Sequence, residues 1–549
     1  MQIQVRINEE GALRNQRFAF SNRFTLISEL LQNARRAGAT CIEIHHDATA
    51  QVLSVHDNGR GLDDFQKLLS LHESGWDEST CTEEQPFGVG FSKCLYAATR
   101  CVVASGHQRV DIDTAAALSK AWIEVEQVDE ATAVVGTQVD LYGVDLSDLD
   151  VRIEELCQGF PVPVRFNGRV LARRFAKEHL IMQSSAIGAI HLAGVHDGRH
   201  SPASVVFLQG FCVLRPTYFS EDQVNVVHLD SRQFMARLPD RDKLINEDQQ
   251  RQRIDAELKA SWRKTLEAAK TQMSAQCFVD TYYAAMRGWG HLDLLNDLEL
   301  LPADLCKTIV GYPVQGEHDH CDFVETMSAA PTRGEVETGA LRLVALDEVG
   351  NDNGARWMLA RNKGYRVIDW FGLHRDHWVQ PHVRFLEDEP VHVEAIGEQV
   401  RTVLEGRWVW PSVILCEAVR IRVGPDEAVI GDAGVCHDGT LYIPAGESTG
   451  MPVLQLSSFT DEHDQYLDAD RDADCEALAG LIRRLRSVDP VQTLDALLQE
   501  LRLGRYPLLH GKTFQLTIGV GGAPGHSVEL VDADDSSTLE PTGGCHAGP

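Results

Sequence analysis

Positive charge is scarce in this chain: 51 Lys and Arg face 81 Asp and Glu, for a formal net charge of −30. Such an acidic surface opposes broad attraction to nucleic acid or to an anionic membrane. No apolar run approaches the roughly 18 residues a membrane helix needs, so no membrane association is expected. The 13 cysteines include no CxxC pair and are odd in number, which builds neither a disulfide framework nor a structural zinc site. The opening MQIQVRINEEGALRNQ lacks the apolar core of a signal peptide, and a reducing cytoplasm is the expected setting. A GxxxxGK[ST] loop is missing, as is the strand–GxGxxG–helix order of a dinucleotide fold. At 549 residues the chain outgrows one hydrophobic core, and roughly two to four domains are expected.

The stretch FTLISELLQNARRAGA, from Phe24 to Ala39, places Leu26, Ile27, Leu30, Leu31 and Ala34 at helical spacing. Glu29 and Asn33 then stand one turn apart on a single face. Alone they would be an ordinary polar face. Together they suit two linked tasks, a carboxylate that takes a proton from water and an amide oxygen that ligates Mg²⁺. CIEIHHD and AQVLSVHDNGRG alternate like strands, and the second ends in Asp57-Asn58-Gly59-Arg60-Gly61. A carboxylate followed by alternate glycines suits an adenine amino group approached closely by backbone. Phe87-Gly88-Val89-Gly90-Phe91-Ser92-Lys93 opens a helical stretch to about Thr99, its glycines exposing N–H groups to phosphate. Gly136-Thr137-Gln138-Val139 begins a strand that can set one hydroxyl at a pocket floor.

The order ELLQN, DNGRG, FGVGF, GTQV resembles the four signature boxes of the GHKL superfamily, the Bergerat-fold ATPases that include Hsp90, MutL, type II topoisomerase ATPase subunits and sensor histidine kinases. That resemblance implies an α/β fold, a two-layer Hsp90-like sandwich, over residues 1–175, with ATP and Mg²⁺ as cofactors. Glu29 would be the general base and Asn33 the Mg²⁺ ligand. Asp57 would bind adenine, supported by Thr137. Ala37, Gly59, Gly61 and Leu62 would lie against the nucleotide, and Phe87, Gly88, Val89, Gly90 and Phe91 would shape the loop over the phosphates. Residues 62–86 resemble the ATP lid. One departure stands out: many members carry aspartate before the alanine that closes the first box, and this chain has Arg36-Ala37.

Farther on, a helix is expected at about 148–158, then two strands joined by the hairpin signal Asn167-Gly168. Strand-like segments and a long polar helix at about 246–275 are compatible with an S5-like α/β transducer over 176–290. In the families named, such a domain sends a basic side chain to the γ-phosphate, and LPDRDKLI nominates Arg241, with Lys243 in reserve. A helical connection (291–330), an α+β domain of unassigned role (331–521) and a flexible tail (522–549) complete the expected organisation. His318, His320 and Cys321 lie close together without fixed geometry. Asp468, Asp470 and Asp472 resemble the start of an EF-hand but lack its glycine and final glutamate, so they read as a solvated acidic loop.

The function these readings imply is a Mg-dependent, chaperone-like ATPase of the Hsp90/MutL-like class. ATP would close the lid, pair N-domains in an ATP-dependent homodimer, and remodel a protein partner held by the C-terminal region. A nucleotide-gated sensor with negligible turnover is one alternative. A DNA-transaction ATPase of the MutL, MORC or topoisomerase kind is another, disfavoured by net charge.

Overall fold

The computed structural model describes residues 3–4, 8–16, 24–71, 73, 75–84, 88, 90–146, 148–237, 242–312, 323–347, 353–457, 468–520 and 525–531. They fall into two compact units, one of Met1–Pro302 with Ala330–Gly334 and Phe371–Gln380, the other of Ala303–Ala329, Glu335–Trp370 and Pro381–Pro549.

The first unit begins with helices α1 (Glu9–Gln16) and α2 (Thr25–Arg36), followed by strands β1 (Ile42–Asp47) and β2 (Val52–Asp57). Helices α3 (Glu78–Glu84) and α4 (Ser92–Ala97) lead to β3 (Arg100–Gly106) and β4 (Gln108–Asp113). Then come α5 (Thr114–Leu118), β5 (Val125–Gln127), β6 (Val134–Tyr142), α6 (Leu149–Cys157), β7 (Val164–Phe166) and β8 (Arg169–Val170). The eight strands form one sheet in the order β5-β4-β3-β6-β2-β1-β7-β8, antiparallel except where β1 meets β7.

Register explains which residues reach the core. Ile44 pairs with Val55, Val55 with Val139 and Val139 with Val103, so these apolar side chains share one face. The apolar residues of α2 fill that face: Leu26, Ile27, Leu30, Leu31 and Ala34 are all buried. Each fully buried Leu or Ile contributes about 1.5–3 kcal/mol. At one end of the sheet the same face turns polar, because Asp57 pairs with Thr137 and Thr137 with Ser105. The Asn167-Gly168 turn has positive φ at both residues (46° and 81°), as a tight hairpin between β7 and β8 requires.

A second sheet follows, built from β9 (Gln183–Ser185), β10 (Gly188–His191), β11 (Ser204–Leu208), β12 (Phe211–Leu214) and β13 (Asn225–Leu229). Its order is β12-β11-β13-β10-β9, with β11 and β13 parallel. The long polar helix is α7 (Glu247–Gln272), and Ile254, Leu258, Trp262 and Leu266, spaced by one turn, form its buried stripe. Met273 leaves the helical region, and Ser274 accepts from the Cys277 N–H to start α8 (Ala275–Trp289).

The described residues of 291–330 do not form the expected helical connection. Among the described residues they hold short 3₁₀ turns at Leu292–Leu295 and Ala303–Leu305 and strands Cys306–Ile309 and Val324–Thr326. The second unit contains two further five-stranded sheets. One centres on Leu343–Ala345, parallel to both Arg366–Ile368 and Val383–Phe385. The other is built on the long antiparallel pair Val391–Val403 and Ser412–Val423. The acidic run after 467 is not a loop, because Asp468–Arg486 is a helix. Asp474 within it accepts from the N–H groups of Trp408 and Val409, and Asp470 pairs with Arg407 at 2.6 Å. Part of the expected tail is also ordered: His526–Val531 pairs with Thr513–Ile518. His318, His320 and Cys321 lie outside the described residues. Among the described residues, no group of three or more His, Cys, Asp or Glu could hold a metal, and no helix is long and apolar enough to cross a membrane.

Candidate functional site: a cavity between α2 and the polar end of the sheet

The polar end of the sheet, α2 and the segment 62–84 enclose a cavity of about 180 Å³. Glu29, Asn33 and Ala37 reach it from successive turns of α2, Asp57 and Thr137 from β2 and β6, and Gly88, Gly90 and Phe91 from the approach to α4. Gly61 and Leu62 also line it. The separate sequence boxes therefore converge on one space.

Asp57 is 8% exposed, and its Oδ1 accepts from the Gly59 N–H at 2.8 Å. Burial pushes its carboxyl above the usual aspartate range, and the Gly59 N–H partly opposes that rise. The neighbouring Asn58 is structural: its Oδ1 accepts from the N–H groups of Thr40 and Cys41. Gly59 does not line the cavity. Its glycine identity follows from packing, since a Cβ there would lie 2.8 Å from the Ala37 Cβ and 2.8 Å from Asp57 Oδ1.

Ser105 ties Leu62 to Gly136. Its hydroxyl donates to the Gly136 carbonyl at 2.7 Å and accepts from the Leu62 N–H at 2.8 Å. Gly136 has φ +78°, and a Cβ there would fall 1.9 Å from the Asp57 carbonyl oxygen. No side chain fits at that position. Gly88, at φ +66°, stands where a Cβ would meet the Glu73 backbone nitrogen at 2.5 Å, while a Cβ on Gly90 would lie 2.6 Å from Glu29 Oε2.

Over the cavity, Trp76 receives the guanidinium of Arg60 at 5.2 Å from its ring centre and that of Arg36 at 6.0 Å. Phe65, at 6% exposure, anchors the start of this segment in the core. Glu84, at the end of α3, takes Arg35 Nη2 at 2.5 Å and Arg36 Nε at 2.8 Å. Gln209, in the turn between β11 and β12, accepts from Gln32 Nε2 at 2.5 Å and donates to the Glu84 carbonyl at 3.2 Å.

Phe87, Val89 and Arg241 lie outside the described residues. Lys243 is exposed and does not line the cavity; its carbonyl accepts from the Arg237 N–H at 2.7 Å. Sequence reasoning gave no role to Lys93, Ser105, Glu84 or Gln209. A lysine inside the apolar turn SKCLYA was the available signal for Lys93, whereas the other three emerge only from long-range pairing.

A sheet dominated by antiparallel pairs is faced by a helix that offers a carboxylate and an amide to a cavity floored by a buried aspartate, the arrangement that the GHKL resemblance implies. Residues 21–139 match the family of histidine kinase-, DNA gyrase B- and HSP90-like ATPases, and this segment belongs to the GHKL superfamily. Comparison with curated proteins gives no match.

Proposed function

We propose that the chain is a Mg-dependent ATPase of the Hsp90/MutL-like class. The observation that carries this reading is the convergence of Glu29, Asn33, Asp57, Gly88 and Gly90 on one cavity. In this reading Asp57 accepts the adenine amino group, supported by Thr137. Its Oδ1 is engaged by Gly59, so Oδ2 is the atom for the base. Ala37, Gly61 and Leu62 flank the nucleotide, and backbone N–H groups of residues 87–91 meet the phosphates. Glu29 takes the proton of the attacking water.

The donor set fits a magnesium ion shared with phosphates and water: one amide oxygen, from Asn33, with a carboxylate one turn away. Bound there, Mg²⁺ would offset phosphate charge. Asn33 would hold it.

We assign the second sheet with α7 and α8 to the transducer role. An isolated bridge joins Ala236 to Leu244, the residues that flank in sequence the stretch carrying Arg241 and Lys243. Ala236 lines a small cavity beside Glu29, which supports that stretch as the source of a γ-phosphate cation. Residues 62–86 act as the lid, and closure drives pairing of N-domains in a cytoplasmic homodimer and remodelling of a protein partner. A partner surface in the C-terminal region is supported by helix Pro490–Glu500, which buries no residue, and by the hairpin beyond it. There Phe514 faces Leu530 and Leu516 faces Val528, with Phe514, Val528 and Leu530 exposed. The test is phosphate release from ATP. It should require Mg²⁺ and stop on chelation; turnover that is indifferent to the metal would refute the reading.

A further inference from the structure

Glu29 lines two cavities. One is the nucleotide cavity; the other, of about 30 Å³, is lined also by Gln32, Lys93, Leu208 and Gln209. Lys93 belongs only to the second. Its Nζ lies 3.4 Å from Glu29 Oε1, and the two side chains are 3% and 5% exposed. Glu29 Oε2 lies instead toward Gly90, 2.6 Å from where a Cβ on that glycine would sit. The two carboxylate oxygens thus have different surroundings, one a buried ammonium and the other the glycine loop.

Burying a carboxylate and an ammonium costs several kcal/mol each, recovered only when the charges meet in good geometry. A buried cation behind a carboxylate also restricts its rotation, because swinging Oε1 away would break the 3.4 Å ion pair. Packing holds the lysine in place: Ser92, Cys94 and Leu95 around it are buried as well.

We propose that Lys93 is a positioning residue for Glu29, gripping Oε1 from the second cavity so that Oε2 is presented to the phosphate end of the nucleotide cavity. The proposal rests on the reading of Glu29 as the residue that activates water. Lys93 touches neither nucleotide nor water in this role. Its contribution is to kcat, through the orientation of the carboxylate, and not to ATP affinity.

The experiment measures kcat and the ATP dissociation constant for Lys93→Met, Lys93→Arg, Glu29→Gln and Glu29→Gln/Lys93→Met. Lys93→Met should lower kcat by about 10- to 100-fold with ATP binding little changed. Lys93→Arg should recover most of that loss. In the Glu29→Gln background, removing Lys93 should cost nothing further. If Lys93→Met fails to fold, Lys93→Gln, which keeps a hydrogen-bond donor, carries the same expectations. Wild-type kcat in a folded Lys93 variant overturns the proposal, as does an equal further loss in the Glu29→Gln background. Wild-type turnover in Glu29→Gln would instead remove the reading of Glu29 itself.

Discussion

Arg36 Nε donates to Glu84 Oε2 at 2.8 Å, joining the last turn of α2 to the end of α3. The arginine that stands where many GHKL members carry aspartate is therefore a contact between α2 and α3, with a side chain only 2% exposed. Burial works to raise the Glu84 carboxyl, and hydrogen bonds and charge from Arg35 and Arg36 more than reverse it, leaving it below the usual glutamate range.

A carboxyl held low in the folded state stabilises above its unfolded pKa, and that stabilisation is lost as pH falls through the folded value. The Arg36–Glu84 contact should therefore hold at neutral pH and release in acid. Glu84→Gln should release it at pH 7, at a cost of about 1–3 kcal/mol in local opening. Hydrogen exchange over 78–84 checks this, with Trp76 emission as a second reporter. Unchanged protection in Glu84→Gln would contradict it.

Gly136→Ala should be among the most damaging single-methyl changes in the domain. The added carbon would meet the Asp57 carbonyl at 1.9 Å on a backbone at φ +78°. Strain of this kind costs at least about 1–3 kcal/mol, and here relief would shift β6 against β2 at the cavity floor. Thermal melting should show a lowered Tm and titration should show weakened ATP binding. Gly38→Ala is the control, since it has positive φ but nothing within 4 Å of the new carbon.

Asp57→Asn should leave the fold intact, because an amide oxygen can still accept from the Gly59 N–H. The atom facing the base would become a donor and oppose the adenine amine. ATP affinity should fall at least tenfold, about 1.4 kcal/mol, while Tm without nucleotide changes little. Wild-type affinity would remove Asp57 from the adenine site.

The parts of the site legible in sequence were those set by local pattern. The 3.6-residue spacing of Leu26, Ile27, Leu30, Leu31 and Ala34 places Glu29 and Asn33 on the cavity side of α2. Alternation in Ile42/Ile44 and Val52/Val55 finds β1 and β2. What depends on distant pairing was not legible. Nothing near Ser105 in sequence announces that Leu62 and Gly136 share its hydroxyl. Gln209 reaches Gln32 and Glu84 across 177 and 125 residues. Asp468, Asp470 and Asp472 read as a loop because acidic residues favour loops in isolation, yet they lie within the first five residues of a helix, near the end where negative charge is favoured.

Steady-state turnover of the wild type and Glu29→Ala, with nucleotide binding measured on both, decides whether this cavity hydrolyses ATP with Glu29 as the base. Both proteins should bind ATP, and only the wild type should turn it over. Equal turnover by both would contradict the role of Glu29; binding in both with negligible turnover in either would make the chain a nucleotide sensor, and binding in neither would remove the site.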